Sequence, residues 1–170
     1  MKIYNQSLMT LYILRINNLQ ISPMMINNLK WTDQWLLNSV NSYKLTRDEI
    51  AAIHLYTLES DPGLYRLLNE ALRQKNRVHT KPYHQYLRLI LNGMKKLPVH
   101  VGDAWRGILG DLTDSYQIGS NVWWWAFSSC TMDMSALNDT NFIGQNAQDT
   151  LKTRTLFKVS TKTGREINNF

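Results

Sequence analysis

A change of hydrophobic period at Pro98 constrains this chain more than any other feature. Before Pro98 the apolar residues recur at helical spacing, and after it they alternate with polar ones. Thr46-Arg47-Asp48-Glu49 has the form of a capping box. The threonine hydroxyl meets one unpaired N–H of the first turn, and the Glu49 carboxylate returns to another. Ile50, Ile53 and Leu58 follow within one helical stripe. Asp61-Pro62 predicts a second start, with Asp61 as N-cap and Pro62 in the first turn. Leu64, Leu67, Leu68, Ala71 and Leu72 then give the spacing of one buried face. A third helix is expected from Lys81-Pro82, with a stripe of Tyr83, Tyr86, Leu87, Ile90, Met94 and Leu97, and Pro98 ends it.

Beyond Pro98, Val99 and Val101 alternate with polar neighbours. Residues 122–127, Val-Trp-Trp-Trp-Ala-Phe, read as an aromatic strand between serine-containing flanks. Residues 153–161 read as another, carrying Leu156, Phe157 and Val159, with Thr163-Gly164 as the turn that follows. Helices segregated ahead of strands predict an α+β fold rather than alternating βαβ units.

Composition narrows the function classes. The 170 residues suit one domain, and 44% hydrophobic against 19% charged is a globular balance. No run of about 18 apolar residues is present, so no membrane span is expected. The single cysteine, Cys130, excludes an internal disulfide framework and a four-cysteine zinc site. Four scattered histidines argue against a metal. The net charge of +6 favours anionic partners without choosing among nucleic acid, phosphates and acidic membrane. Lys95-Lys96 is the one basic doublet, so there is no polybasic tail. Residues 1–44 read as a loose or amphipathic leader. The apolar run Leu8–Leu14 is short and no small-residue cleavage site follows it, which leaves the compartment open. Neither G-x-G-x-x-G nor G-x₄-G-K-[ST] occurs, so the common dinucleotide and triphosphate folds are not signalled.

Four positions carry candidate chemistry. Arg106 precedes Gly107 at the end of a strand-like segment. A guanidinium beside an approachable backbone suits a diphosphate, and a plain surface arginine before a turn is the other reading. Ser128-Ser129-Cys130-Thr131 follows Phe127. Its hydroxyls orient a sugar or a carboxylate, or else form an ordinary polar loop. No G-x-S-x-G surrounds these serines and no histidine follows them, which argues against a serine nucleophile. Cys130 is either a reactive thiol or packing. Phe142 is either core or a ring that stacks on a planar ligand.

Order and spacing point further. The chain reads Leu55-Tyr56-Thr57, Leu64-Tyr65-Arg66-Leu67-Leu68-Asn69-Glu70-Ala71-Leu72-Arg73 and Tyr86-Leu87-Arg88-Leu89-Ile90, then Lys95-Lys96-Leu97-Pro98. Trp105-Arg106-Gly107, Phe127-Ser128-Ser129-Cys130-Thr131 and Thr155-Leu156-Phe157-Lys158-Val159 follow. Over residues 45–170 this series resembles the arginine-specific mono-ADP-ribosyltransferases of the R-S-E class. The resemblance implies a helical part over residues 45–98. It also implies an antiparallel β core over residues 99–170, incomplete at its C-terminus. The implied reaction moves ADP-ribose from NAD, or NADP, to arginine side chains of a protein and releases nicotinamide, without a metal and without nucleic acid. It makes Arg106 and Ser129 the catalytic pair. Arg106 holds NAD through its phosphates, Gly107 meets the nicotinamide amide through its backbone, and Ser129 positions the ribose and the catalytic glutamate. Phe142 stacks on nicotinamide. The chain departs from the family pattern twice. Ser129-Cys130-Thr131 replaces Ser-Thr-Ser, and no Glu-x-Glu follows Gly164-Arg165-Glu166-Ile167 or occurs elsewhere. The expectation is a C-terminally truncated member lacking its catalytic glutamate. The alternatives are an inactive NAD-binding remnant, or a basic nucleic-acid-binding module built on six tryptophans and eight tyrosines. In a strand, Trp123-Trp124-Trp125 alternates faces, so at least one ring is expected to face inward.

Overall fold

The computed structural model of the protein describes residues 43–58, 63–138, 153–167 and 170. They fall into two compact units, one helical up to Pro98 and joined by the residues from Arg165 onward, the other Val99–Gly164.

The helical unit starts at the capping box. The Glu49 N–H donates to the Thr46 hydroxyl at 3.3 Å, and the Thr46 N–H donates to the Glu49 carboxylate at 2.8 Å. This fixes α1, Arg47–Thr57. Helix α2 spans Leu64–Arg73. Its N-cap is Gly63, which makes no side-chain cap bond, and not Asp61 as expected; Asp61 and Pro62 lie outside the described residues. The third element begins earlier than Lys81. The Asn76 side chain accepts from the Val78 N–H at 3.0 Å and opens a 3₁₀ segment, Arg77–Tyr83, that contains Pro82. Proline contributes no N–H, and a short tight helix tolerates that loss. Helix α3 proper is His84–Lys96, and Pro98 follows Leu97 at its C-cap.

Ile53, Leu55, Leu68 and Ile90 are the largest fully buried side chains of this unit. Helix α1 lies close to α3 because position 93 is glycine. A Cβ there would sit 3.0 Å from Ile53 Cδ1 and 3.2 Å from Glu49 Cβ. Two buried polar pairs tie the unit together, as burial demands, whereas His54 Nδ1 is buried without a hydrogen-bond partner. The Tyr86 hydroxyl donates to the Ala52 carbonyl at 2.8 Å, and Asn69 Nδ2 donates to the Tyr56 hydroxyl at 3.0 Å.

Glu49 is buried and takes both oxygens to the Lys96 ammonium, at 2.9 and 2.7 Å. Burial pushes its carboxyl up. The Lys96 and Thr46 hydrogen bonds outweigh burial and hold it below the ordinary 4.5. A carboxyl lowered on folding stabilises the native state above its unfolded pKa, and that contribution is lost as pH falls through the folded pKa. Glu49→Gln is therefore expected to destabilise the chain near neutral pH. The gap from the parent should narrow on acidification to about pH 3. Chemical denaturation at the two pH values reads this directly, and a gap that stays constant would remove Glu49 from the acid response.

In the second unit, β1, Val99–Leu109, pairs with β2, Arg154–Arg165. The pairing is antiparallel. Gly110 N–H meets the Thr153 carbonyl at one end, and Glu166 N–H meets the Pro98 carbonyl at the other. Thr155 locks the first end, its hydroxyl donating to the Gly110 carbonyl and accepting from the Leu112 N–H. Asp103 ties the strands midway, to Lys158 at 2.8 Å and to the Ser160 hydroxyl at 2.7 Å. Strand β2 runs through Thr163-Gly164, where a turn was expected. Ladder pairing to β1 supplies backbone partners that a turn would forfeit.

Residues 122–127 are not a strand. Strand propensity is realised by ladder pairing with a neighbouring strand, and among the described residues no strand pairs with this segment. Side chains hold it instead. The Trp124 indole N–H donates to the Tyr116 hydroxyl at 2.8 Å, and its ring meets Phe157 edge-on at 5.7 Å. Tyr116 packs on Phe157 at 4.7 Å. The ring expected to face inward does not: all three tryptophans are exposed, Trp124 least at 39%, against 77% for Trp123 and 61% for Trp125.

Candidate functional site

The candidate site is assembled by one short bridge. The Trp105 N–H donates to the Thr131 carbonyl at 2.7 Å, and the Thr131 N–H donates back to Trp105 at 2.8 Å. This antiparallel contact lays Ser129-Cys130-Thr131 along the outer edge of β1, opposite Trp105-Arg106-Gly107. Twenty-three residues of chain separate Arg106 from Ser129, yet Arg106 Nη1 donates to the Ser129 carbonyl at 2.7 Å. The structure thus brings two of the predicted residues together. The contact is to the main chain of Ser129, so the Ser129 hydroxyl is left exposed beside the guanidinium.

The neighbouring hydroxyl is less available. Thr131 Oγ1 donates to the Asp133 carbonyl and accepts from the Asp133 N–H, both at 3.1 Å. This local turn consumes the threonine, and Ser129 remains the hydroxyl free to meet a ligand. Cys130 is exposed, so the packing reading does not hold for it. The thiol environment is not an activating one either. Desolvation pushes the thiol up despite the nearby Arg106 charge, and its one weak bond goes to the Ser128 carbonyl at 3.8 Å.

Gly107 opens onto a cavity of about 460 Å³. Met134, Ser135 and Leu137 line it from one side, and Arg154, Thr155 and Leu156 from the start of β2. The volume falls within the range of small-molecule sites, about 300–1,000 Å³. Of these six lining residues only Thr155 and Leu156 figure in the sequence reading, as part of a strand and not of a site. The six come from two segments about 20 residues apart, and only pairing of β2 with β1 sets them around Gly107. The one available signal was Arg154, a cation at the head of a predicted strand. Phe142 lies outside the described residues. Among the described residues no group of three His, Cys, Asp or Glu is placed to hold a metal ion. No helix among them is long and apolar enough to cross a membrane.

The arrangement therefore offers a fixed guanidinium and a free hydroxyl, with the glycine next to Arg106 lining a largely apolar cavity. A guanidinium with donors to spare suits a diphosphate, and the hydroxyl and backbone suit a sugar and an amide. A family model described as "NAD:arginine ADP-ribosyltransferase" matches residues 19–170. No curated protein and no solved structure matches the chain.

Proposed function

Given that the chain belongs to the NAD:arginine ADP-ribosyltransferase family, we propose that Arg106, Gly107 and Ser129 hold NAD for ADP-ribosyl transfer to protein arginines. The observation that carries this reading is the hydrogen bond from Arg106 to the Ser129 carbonyl, with the neighbouring Gly107 lining a cavity. In this reading the Arg106 guanidinium takes the diphosphate. Its bond to the Ser129 carbonyl fixes one N–H and aims the rest of the fork. The Gly107 backbone meets the nicotinamide amide, and the Ser129 hydroxyl meets the nicotinamide ribose. Phe142 is assigned the ring face of nicotinamide. NADP is an alternative dinucleotide.

The family's reaction breaks the bond between nicotinamide and ribose, and positive charge develops on the sugar as in glycoside hydrolysis. A carboxylate beside that carbon stabilises the charge, and a second one takes a proton from the acceptor guanidinium. These 170 residues contain no Glu-x-Glu. We assign them dinucleotide capture and orientation, and expect NAD binding without measurable modification of agmatine.

Calorimetric titration with NAD, paired with an agmatine assay, tests both halves. Absence of NAD binding overturns the site assignment. Rapid agmatine modification overturns the assignment of capture alone and sends the search for a carboxylate to Glu49, Glu59, Glu70 and Glu166. Ser129→Ala is a clean probe, because the Arg106 contact uses the main chain and survives the change. Loss of one neutral hydrogen bond, about 0.5–1.5 kcal/mol, should weaken NAD roughly two- to tenfold. Cys130→Ser should leave NAD affinity unchanged. The reverse ranking would show that the motif is aligned on the wrong residue.

A further inference from the structure

Residues 71–98 run from the end of α2 through the 3₁₀ segment and α3, and they contain seven lysines and arginines and no aspartate or glutamate. Two of the seven are spent inside the unit, Lys96 on the Glu49 carboxylate and Arg77 on the Leu72 carbonyl at 2.8 Å. The other five, Arg73, Lys75, Lys81, Arg88 and Lys95, are exposed, and among the described residues none of them has an ion-pair partner. Like charges left unneutralised in one stretch raise each other's energy, and an anionic surface relieves that.

Helix α3 gives this charge a direction. At 3.6 residues per turn, His84, Arg88, Leu91 and Lys95 fall within about 60° of one another and run about 16.5 Å along the axis. All four are exposed, Leu91 at 45%. The buried residues of the helix, Tyr86, Ile90 and Gly93, lie on its opposite side. The solvent-facing stripe is therefore cationic, with an aliphatic side chain in its middle. The 3₁₀ segment repeats the pattern along the sequence, with Val78, 56% exposed, between Lys75 and Lys81.

Chemistry selects the occupant. The cations call for an anionic surface, and clusters of about four to eight basic residues are what hold a protein on acidic lipid. A phosphodiester backbone would satisfy the cations and offer nothing to Leu91 or Val78. A bilayer interface satisfies both, because headgroups meet the ammonium and guanidinium groups while an aliphatic side chain enters the acyl boundary. The outer flank of a helix is convex, and a lipid surface accepts a convex face without the matching groove that an acidic polypeptide would have to supply.

We propose that the α3 stripe, with the cations of residues 73–81, docks the chain on an anionic lipid surface, so that it lies on the bilayer and does not cross it. The docking is independent of the NAD reading and uses none of Arg106, Gly107 and Ser129.

The test is cosedimentation of the 170-residue chain with vesicles of phosphatidylcholine alone and of phosphatidylcholine mixed with phosphatidylserine. The chain should bind the acidic vesicles and not the neutral ones, and added salt should weaken the binding. Each cation at the surface is worth roughly fivefold, so Arg88→Gln with Lys95→Gln should cost about 25-fold. Lys75→Gln with Lys81→Gln, outside α3, should cost a similar factor. Lys162→Glu, at an exposed lysine of β2, changes the net charge as much as Lys95→Glu does and should cost far less. Leu91→Ser keeps the charge, and it should weaken vesicle binding about three- to tenfold without changing the affinity for oligouridine. NAD affinity should not change in any of these variants. Equal binding to both kinds of vesicle overturns the proposal, as does undiminished binding in both double glutamine variants or an equal loss in Lys162→Glu and Lys95→Glu. An unaffected Leu91→Ser variant removes the lipid interface. Stronger binding to oligouridine or to polyglutamate than to acidic vesicles gives the stripe to nucleic acid or to an acidic protein instead.

Discussion

Arg106→Ala should weaken NAD binding by about 10- to 150-fold, the equivalent of the 1.5–3 kcal/mol that a charge-assisted hydrogen bond contributes. The argument starts from what Arg106 does before any ligand arrives. One of its N–H groups is already committed to the Ser129 carbonyl at 2.7 Å, which orients the guanidinium plane without ligand. An oriented fork loses little side-chain entropy on meeting a diphosphate. Arg106→Lys should recover little of the loss. A lysine ammonium has no planar fork, so it cannot bond the Ser129 carbonyl and present two parallel donors to phosphate at once. The Trp105–Thr131 bridge is main-chain on both sides, so it should hold the Ser129 segment on β1 in both variants. The effect should therefore appear in NAD affinity and not in the unfolding midpoint. Calorimetry showing equal NAD affinity in parent and Arg106→Ala would remove Arg106 from the site.

What was legible in the sequence was legible at short range. The capping box links residues three apart, and α1 begins where Thr46 and Glu49 predict. Of the stripe Tyr83, Tyr86, Leu87, Ile90, Met94 and Leu97, four are buried and Leu87 and Met94 are half-buried. Signals that depend on a distant partner were misread. Residues 122–127 have strand composition, but composition supplies no neighbour, and the segment is held by Trp124 on Tyr116 and Phe157 instead. Thr163-Gly164 is a turn pair by type, and the ladder to β1 overrides it. The site divides the same way. Arg106 and Ser129 were found through the order of short motifs. That Arg106 takes the Ser129 main chain, that Thr131 is spent on its own turn, and that Met134, Ser135, Leu137 and residues 154–156 wall the Gly107 cavity are facts of tertiary pairing.

The tightest packing in the helical unit predicts the largest loss of stability. Ile53 is fully buried between α1 and α3, and its Cδ1 lies where a side chain at position 93 would begin. Ile53→Ala removes three carbons from a site that the surrounding helices cannot collapse to fill. The expected cost is about 2–5 kcal/mol, a large part of a domain stability of about 5–15 kcal/mol. Gly93→Ala alone sets two tendencies against each other. Alanine favours a helix over glycine by about 1 kcal/mol, while overpacking typically costs about 1–3 kcal/mol. The new methyl would start 3.0 Å from Ile53 Cδ1 and 3.2 Å from Glu49 Cβ, so overpacking should win and the single variant should be less stable. In the Ile53→Ala background the nearer obstacle is gone, and the same methyl fills part of the vacated space. Gly93→Ala should then become neutral or stabilising, with a coupling between the two positions of about 1–2 kcal/mol. Urea denaturation of the parent, both single variants and the double closes the cycle. Additive losses would mean that α1 and α3 shift apart to accommodate the methyl, and that Ile53 and Gly93 do not set their separation.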